Sequence, residues 1–249
     1  MKSPSPIRIV PLRLEAIAPV AAPRLTYRGG PLLTSVQVFL FFWGDAWRRN
    51  PPAGLMQQLN EFFDFVVASP VIDQLDEYSV PRYPIGHGTR TGSVVVTGSP
   101  PASLDDSEVR QLVHHEIASD PVVAQPTPGS LYFVFLPPGV SAGMDGGASC
   151  VNFCGYHDAI DGALFYAVMP YPDCAPCRLR RLPGGSALFD ALTSTSSHEL
   201  CEAVTDPVPG QGWYDDANGE IGDICAWQTK RLGKYAVQLE WSNQQGKCV

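Results

Sequence analysis

The stretch Thr193-Ser-Thr-Ser-Ser-His-Glu-Leu-Cys-Glu-Ala-Val-Thr-Asp-Pro207 organises the chain, because it ends an apolar run that begins near Ser186 and predicts a long helix. On such a helix His198 and Glu202 lie four residues apart, about 40° around the axis from each other. An imidazole and a carboxylate therefore project from one face. Glu199 lies one position further along, beside them.

This pattern is close to the His-Glu-x-x-His helix of zincin peptidases, in which two histidines bind zinc and the glutamate is the general base. Here Glu202 stands in place of the second histidine. Zinc accepts a carboxylate oxygen alongside imidazole nitrogen, so the pattern still predicts a zincin-like metal helix. The alternative is a solvated helix end, in which Glu199 and Glu202 are exposed and Asp206-Pro207 terminates the helix.

A catalytic zinc ion takes three protein ligands and keeps one position open for water. Asp206 lies about 12 Å from His198 along a straight helix, so these two residues do not share an ion. We favour Asp223 as the third ligand, because a ligand downstream of the helix repeats the chain order of zincins. Glu220 and His157 are the alternatives, and a non-ligating His157 is expected to polarise a carbonyl or stabilise an oxyanion.

This set of residues predicts a zinc-dependent metallopeptidase, a hydrolase of peptide or protein substrates. Zinc lowers the pKa of bound water to about 7, and Glu199 accepts the water proton during attack on a peptide carbonyl. Two carboxylates and one histidine also form a hard anionic donor set, which suits calcium or manganese. The identity of the metal is therefore open among these three ions.

Composition and charge argue against two classes of partner. The 249 residues include 17 Lys+Arg and 25 Asp+Glu, which gives a net charge of −8. The sequence has no run of basic residues of the kind that binds the phosphates of a nucleic acid. The strongly apolar run at residues 36–43 is of strand length, far below the roughly 20 residues of a membrane helix. We expect neither nucleic acid nor a membrane as a partner.

The seven cysteines admit two interpretations. Disulfides are one, and a four-thiolate zinc site built from the first four cysteines of the chain is the other. Disulfides are favoured because the last two cysteines bracket a predicted terminal hairpin, and they imply an oxidising compartment. Cys201 lies off the ligand face of the predicted helix and is expected to be a packing thiol. By position, six cysteines form the groups Cys150 with Cys154, Cys174 with Cys177, and Cys225 with Cys248.

The content of 23 Gly and 24 Pro, with only 17% charged residues, predicts many turns and a mixed α and β protein of the α+β class. Residues 1–28 are Pro-rich and are expected to form an extended arm before a single domain at 29–249. Residues 140–157 are expected to form a long loop. The strand at 163–169 is expected to lie at a cleft edge, by analogy with zincins. A twisted mixed sheet is predicted from strands 36–43, 93–97, 131–136, 163–169 and 235–241, with flanking helices at 53–68, 105–118 and 186–205.

Several short blocks between residues 25 and 225 occur together in one order. They are Leu25-Thr-Tyr-Arg-Gly-Gly-Pro-Leu-Leu-Thr34 with Phe42-Trp-Gly44, Leu131-Tyr-Phe-Val-Phe-Leu136, Cys154-Gly-Tyr-His157, Ser197-His-Glu-Leu-Cys-Glu-Ala-Val-Thr-Asp206 and Glu220-Ile-Gly-Asp-Ile-Cys225. In this order they resemble the EXORDIUM-like, or phosphate-induced, protein family, and the last two blocks are the most specific.

This resemblance implies a secreted, disulfide-containing protein and a bacterial or other microbial relative of plant proteins linked to growth regulation. It implies no particular reaction. The chain departs from the plant pattern in carrying Cys201 within the helix. Its N-terminus is a poor signal peptide, because prolines and charged residues interrupt the apolar stretch.

The main alternative to a hydrolase is a non-catalytic extracellular binding or signalling module. In that case the helix motif holds a structural ion or supports the cysteine loops, and exposed aromatic side chains contact a glycan or a receptor. Trp47, Trp213 and Trp227 are the candidates for such contacts. The two hypotheses differ at Glu199, which a hydrolase needs for turnover and a binding module does not.

Overall fold

The computed structural model describes residues 9–12, 22–49, 52–179 and 184–249. Its helices are α1 (Pro52–Val66), α2 (Pro70–Asp73), α3 (Asp106–Ser119) and α4 (Ala187–Thr205). Its strands are β1 (Ile9–Pro11), β2 (Thr26–Tyr27), β3 (Ser35–Trp43), β4 (Gly86–Val96), β5 (Ser103–Asp105), β6 (Ser130–Phe135), β7 (Ser141–Met144), β8 (Gly147–Ala148), β9 (Phe153–Ile160), β10 (Leu164–Met169), β11 (Trp213–Tyr214), β12 (Thr229–Leu232), β13 (Tyr235–Gln238), β14 (Trp241–Ser242) and β15 (Lys247–Cys248).

A six-stranded mixed sheet with the order β1-β9-β10-β6-β3-β4 forms the centre of the protein. The strands from β10 through β6 and β3 to β4 pair in parallel, whereas β9 pairs antiparallel with both β10 and β1. Strand β6 is buried along its whole length, as expected of a parallel strand covered on both faces. The predicted α+β class, with a mixed sheet flanked by helices, is confirmed.

Helices cover both faces of this sheet. Along β3, Val38 and Leu40 belong to the core that includes α1, α2 and α4, whereas Phe39 and Phe41 belong to the core that includes α3. A capping box with Asp105 fixes the start of α3, close to the predicted position. Within the described parts of the chain, no helix is both long and apolar enough to cross a bilayer.

Helix α4 is buried on every side, which places the metal motif inside the protein. It packs against β9, β10 and β13. Glu199 and Glu202 are both 0% exposed, so the alternative of a solvated helix end is wrong. A helix that buries polar residues all around must satisfy them with partners from the surrounding elements.

Three predictions about the sheet are wrong. The segment expected to be a long loop continues into β9, so that His157 lies on an interior strand. Strand β13 pairs with β12 and packs on α4 instead of closing the central sheet. Strand β10 lies between β9 and β6, so it is not the cleft-edge strand that the zincin analogy suggests. The edge next to β9 is formed by β1, which belongs to the predicted Pro-rich arm.

Six cysteines form three disulfides, Cys150–Cys174, Cys154–Cys177 and Cys225–Cys248. Each of the first two disulfides joins a cysteine of the Cys150 and Cys154 group to a cysteine of the Cys174 and Cys177 group. Together they connect the start of β9 to the segment after β10. They consume the thiolates of the alternative four-thiolate zinc site, which is therefore wrong. Cys201 is a free, buried thiol, as predicted. These disulfides support an oxidising compartment.

We expect the double variant Cys225→Ser/Cys248→Ser to lower the free energy of unfolding by about 3 kcal/mol, because the unfolded chain regains the entropy of an open loop. The two residues are separated by 23 positions. Urea denaturation measures the change. The control Cys201→Ala removes a buried thiol but no covalent link, so its free energy of unfolding should fall by less. An unchanged free energy of unfolding in the double variant would contradict this prediction.

Candidate metal centre

Helix α4 presents His198 and Glu202 on one face, as their spacing predicts, and both side chains are fully buried. The Nε2 atom of His198 lies 2.9 Å from Oε1 of Glu202. Despite this distance, Nε2 makes no hydrogen bond to any described residue. Two atoms of ligand type thus approach each other without the alignment of a hydrogen bond, as side chains around a cation do.

A 3-10 turn at Asp223–Cys225 brings Asp223 against this helix. Its Oδ1 atom lies 4.0 Å from Nε2 of His198 and has no hydrogen-bond partner among the described residues. Its backbone N–H donates to Oε1 of Glu202 at 3.1 Å. Each of His198, Glu202 and Asp223 offers one ligand atom, and these atoms lie within 4.8 Å of one another. The structure therefore brings together the three predicted metal ligands.

Gln238, on β13, holds the imidazole of His198. Its Oε1 accepts a hydrogen bond from the Trp227 backbone N–H at 3.1 Å, and its Nε2 donates to the Gly222 carbonyl at 2.9 Å. The amide nitrogen therefore faces Nδ1 of His198, at 2.7 Å, and Nδ1 accepts. The ring proton then lies on Nε2, toward Glu202. A cation at Nε2 would require the ring proton to move to Nδ1, and the amide would then have to turn its oxygen toward Nδ1 to accept it.

His157 enters from β9 and lies between acceptors on both sides of its ring. Its Nδ1 atom is 3.0 Å from Oε2 of Glu199 and 3.5 Å from Oε2 of Glu202. Its Nε2 atom is 3.3 Å from the Asp206 carbonyl oxygen and 3.5 Å from Oε1 of Glu220. A carbonyl oxygen only accepts, so a proton lies on Nε2. His157 and Glu220, both weighed as third ligands for the ion at His198, instead form a separate group with Glu202.

The carboxyl groups of this cluster have strongly perturbed acidities. Burial raises the pKa of Glu220 and Asp223 well above the usual range, since a charge there is poorly solvated. Burial acts on Glu202 in the same direction, but the neighbouring imidazoles of His198 and His157 outweigh it and lower the pKa of Glu202 to about 2. Glu202 is therefore the ionised centre of the cluster, and it favours a proton or a cation on either histidine.

Asp206 belongs to neither ligand group, in agreement with the distance argument on a straight helix. It is the C-cap residue of α4. Its carboxylate accepts backbone hydrogen bonds from Gly210 at 2.6 Å and Gln211 at 3.0 Å. The Asp206 side chain thus provides hydrogen-bond acceptors for backbone N–H groups of the turn that follows the helix. Its own carbonyl oxygen faces His157.

The three tryptophans considered as glycan or receptor contacts are packing residues. Trp47 is fully buried. The ring N–H of Trp213 donates to the Tyr78 carbonyl at 2.7 Å, and that of Trp227 donates to the Pro11 carbonyl at 2.8 Å. These side chains join distant segments of the chain, and none of the three is an exposed aromatic platform.

Comparison with known proteins supports the resemblance seen in the sequence. The chain is similar to an EXORDIUM-like protein. It is 25% identical to Protein EXORDIUM-like 5 of Arabidopsis thaliana over 241 residues, an alignment that covers 81% of this chain and 63% of the relative. The chain thus spans less than two thirds of the relative's length. No family model and no solved structure matches the chain. The disulfides and this similarity together support an extracellular protein.

Gly222 permits the close approach of the ligands, and we expect Gly222→Ala to weaken metal binding at least about tenfold. An added Cβ would lie 2.7 Å from Nδ1 of His198 and 2.9 Å from Oε1 of Glu202. Competition with a chromogenic chelator measures the affinity. The matched control is Gly54→Ala on α1, where a Cβ meets nothing within 4 Å. It should leave the affinity unchanged and add up to about 1 kcal/mol of stability. Equal affinities of both variants would contradict the assignment.

Proposed function

We propose that this protein is an extracellular metal-dependent hydrolase, a metallopeptidase of peptide or protein substrates. The observation that supports it is the convergence of His198, Glu202 and Asp223, where Nε2 of His198 and Oδ1 of Asp223 are buried without a hydrogen-bond partner among the described residues. One imidazole and two carboxylates fit zinc, and the same donors accept manganese or calcium. When bound, the ion supplies Lewis acidity to a carbonyl group and to water.

Glu199 is the proposed general base. It follows His198 directly on α4, and its Oε2 atom is held 3.0 Å from Nδ1 of His157. Its other oxygen, Oε1, has no hydrogen-bond partner among the described residues. Burial raises the pKa of Glu199, although the hydrogen bond of His157 acts against this rise. A carboxylate with a raised pKa and a free oxygen is suited to accept a proton from water, while His157 positions it.

The proposal predicts that Glu199→Gln lowers turnover by about 10²-fold or more, since general base catalysis contributes that much. Metal content should stay unchanged, because Glu199 is outside the ligand set. Cleavage of an unfolded protein substrate and elemental analysis of the same preparation measure the two quantities.

Glu240→Gln is the matched control for this variant. Glu240 is fully buried and lies outside both ligand groups, and burial raises its pKa well above the usual range. Glutamine is therefore a close substitute, and the control should keep its turnover. Full turnover of Glu199→Gln would contradict the role of Glu199.

The burial of the site favours a second candidate, a non-catalytic extracellular module with a structural ion. His198, Glu199 and Glu202 are 0% exposed, and the side chain of Asp223 is 6% exposed. A substrate reaches these residues only when the segments that cover them move. An ion that merely holds α4 to the 223–225 turn needs no such movement.

Both candidates predict that removal of the ion destabilises the fold. With the ion at about 100 times its Kd, chelation should remove about 2.7 kcal/mol, which corresponds to a fall in Tm of about 5–10 °C. Differential scanning calorimetry with and without a chelator measures it. The Asp223→Asn variant, which lacks a ligand of this position, should show a smaller fall than the wild type. A wild-type Tm that is insensitive to chelator would contradict a metal centre, and proteolytic activity separates the two candidates.

A further inference from the structure

We propose a second cation position formed by His157, Glu202 and Glu220, which shares Glu202 with the first and makes the centre dinuclear. This inference rests on the proposed metal-dependent function and adds a site to it. Each of the three residues offers one ligand atom, and these atoms lie within 4.8 Å of one another. His157 is 1% exposed, and Glu202 and Glu220 are 0% exposed.

Unpartnered oxygens point to a ligand at this position. Both carboxyl oxygens of Glu220 lack a hydrogen-bond partner among the described residues, and so does Oε2 of Glu202. A buried polar atom without a partner costs about 1–3 kcal/mol, and more when it is charged. Three such atoms in one buried group are therefore unfavourable unless protons or a cation bind them, and their convergence with His157 favours a cation.

The two oxygens of Glu202 face different histidines. Oε1 lies 2.9 Å from Nε2 of His198, whereas Oε2 lies 3.5 Å from Nδ1 of His157. A carboxylate placed in this way would hold one cation with each oxygen. Paired metal ions in such centres lie about 3.5–4 Å apart. Glu202 thus connects the first position to the second.

His157 has the surroundings of a metal-bound imidazole. A ligating histidine usually donates its other ring N–H to a carbonyl or a carboxylate. Here Nε2 faces the Asp206 carbonyl oxygen at 3.3 Å and Oε1 of Glu220 at 3.5 Å, whereas Nδ1 faces Oε2 of Glu202 at 3.5 Å and Oε2 of Glu199 at 3.0 Å. A cation held by Nδ1 would take the place of the proton that otherwise lies between His157 and Glu199.

The carboxyl groups of the cluster lack cationic side chains other than histidine as partners. Within the described ranges, the ion pairs of Glu199, Glu202, Glu220 and Asp223 involve histidines and no lysine or arginine. A buried carboxylate requires a proton or a cation to compensate its charge, and metal ions would fill that role here.

Titration of the full-length, metal-free protein with Mn²⁺ tests the second position. Isothermal titration calorimetry and elemental analysis should give two ions per chain for the wild type. Glu220→Gln should bind one ion, and Asp223→Asn should also bind one, because each variant loses a different position. Electron paramagnetic resonance should show the six-line spectrum of isolated Mn²⁺ in Glu220→Gln. The fully loaded wild type should show a spin-coupled spectrum. Glu240→Gln should keep two ions.

The outcomes separate this inference from the proposed function. One ion in the wild type, kept by Glu220→Gln and lost in Asp223→Asn, would overturn the second position and leave the first intact. No bound ion in the wild type would overturn both. Should Glu220→Gln fail to fold, His157→Gln provides the same test, with one ion expected and two ions contradicting the proposal.

Discussion

The carboxylate of Glu202 is the constraint on which the rest of the structure depends. It is fully buried, its pKa is held at about 2, and a histidine faces each of its oxygens. A buried anion is stable only when nearby groups compensate its charge. The surrounding elements supply these groups, since α4 carries His198, β9 carries His157 and the turn at Asp223–Cys225 donates the Asp223 backbone N–H to Oε1.

The scaffold holds groups that repel one another. Several carboxyl groups lie close together, so the segments that carry them must be fixed by other interactions. The Cys154–Cys177 disulfide anchors the start of β9 three residues before His157, and the Cys225–Cys248 disulfide anchors the turn that begins at Asp223. Covalent links at both places limit how far the carboxylates can move apart. The same rigidity preorganises the ligands for a cation.

Sequence patterns were sufficient where local spacing decides the structure. The apolar run of β3 and the helical spacing of His198 and Glu202 predicted a buried strand and a shared helix face. Chain order alone singled out Asp223. Strand β9 was missed because Cys154-Gly-Tyr-His157 lacks the apolar alternation of a strand, and its burial comes from its neighbours in the sheet. The burial of the Ser- and Thr-rich part of α4, and the contact of Gln238 with His198, arise from tertiary packing that no local pattern encodes.

Diffraction at a metal absorption edge tests the central claim most directly. Crystals of protein purified without chelator should show anomalous density beside Glu202, within coordination distance of His198 and Asp223. The Gln238 amide oxygen should then face Nδ1 of His198. Absence of anomalous density, with Gln238 Nε2 still donating to Nδ1 of His198, would contradict the account.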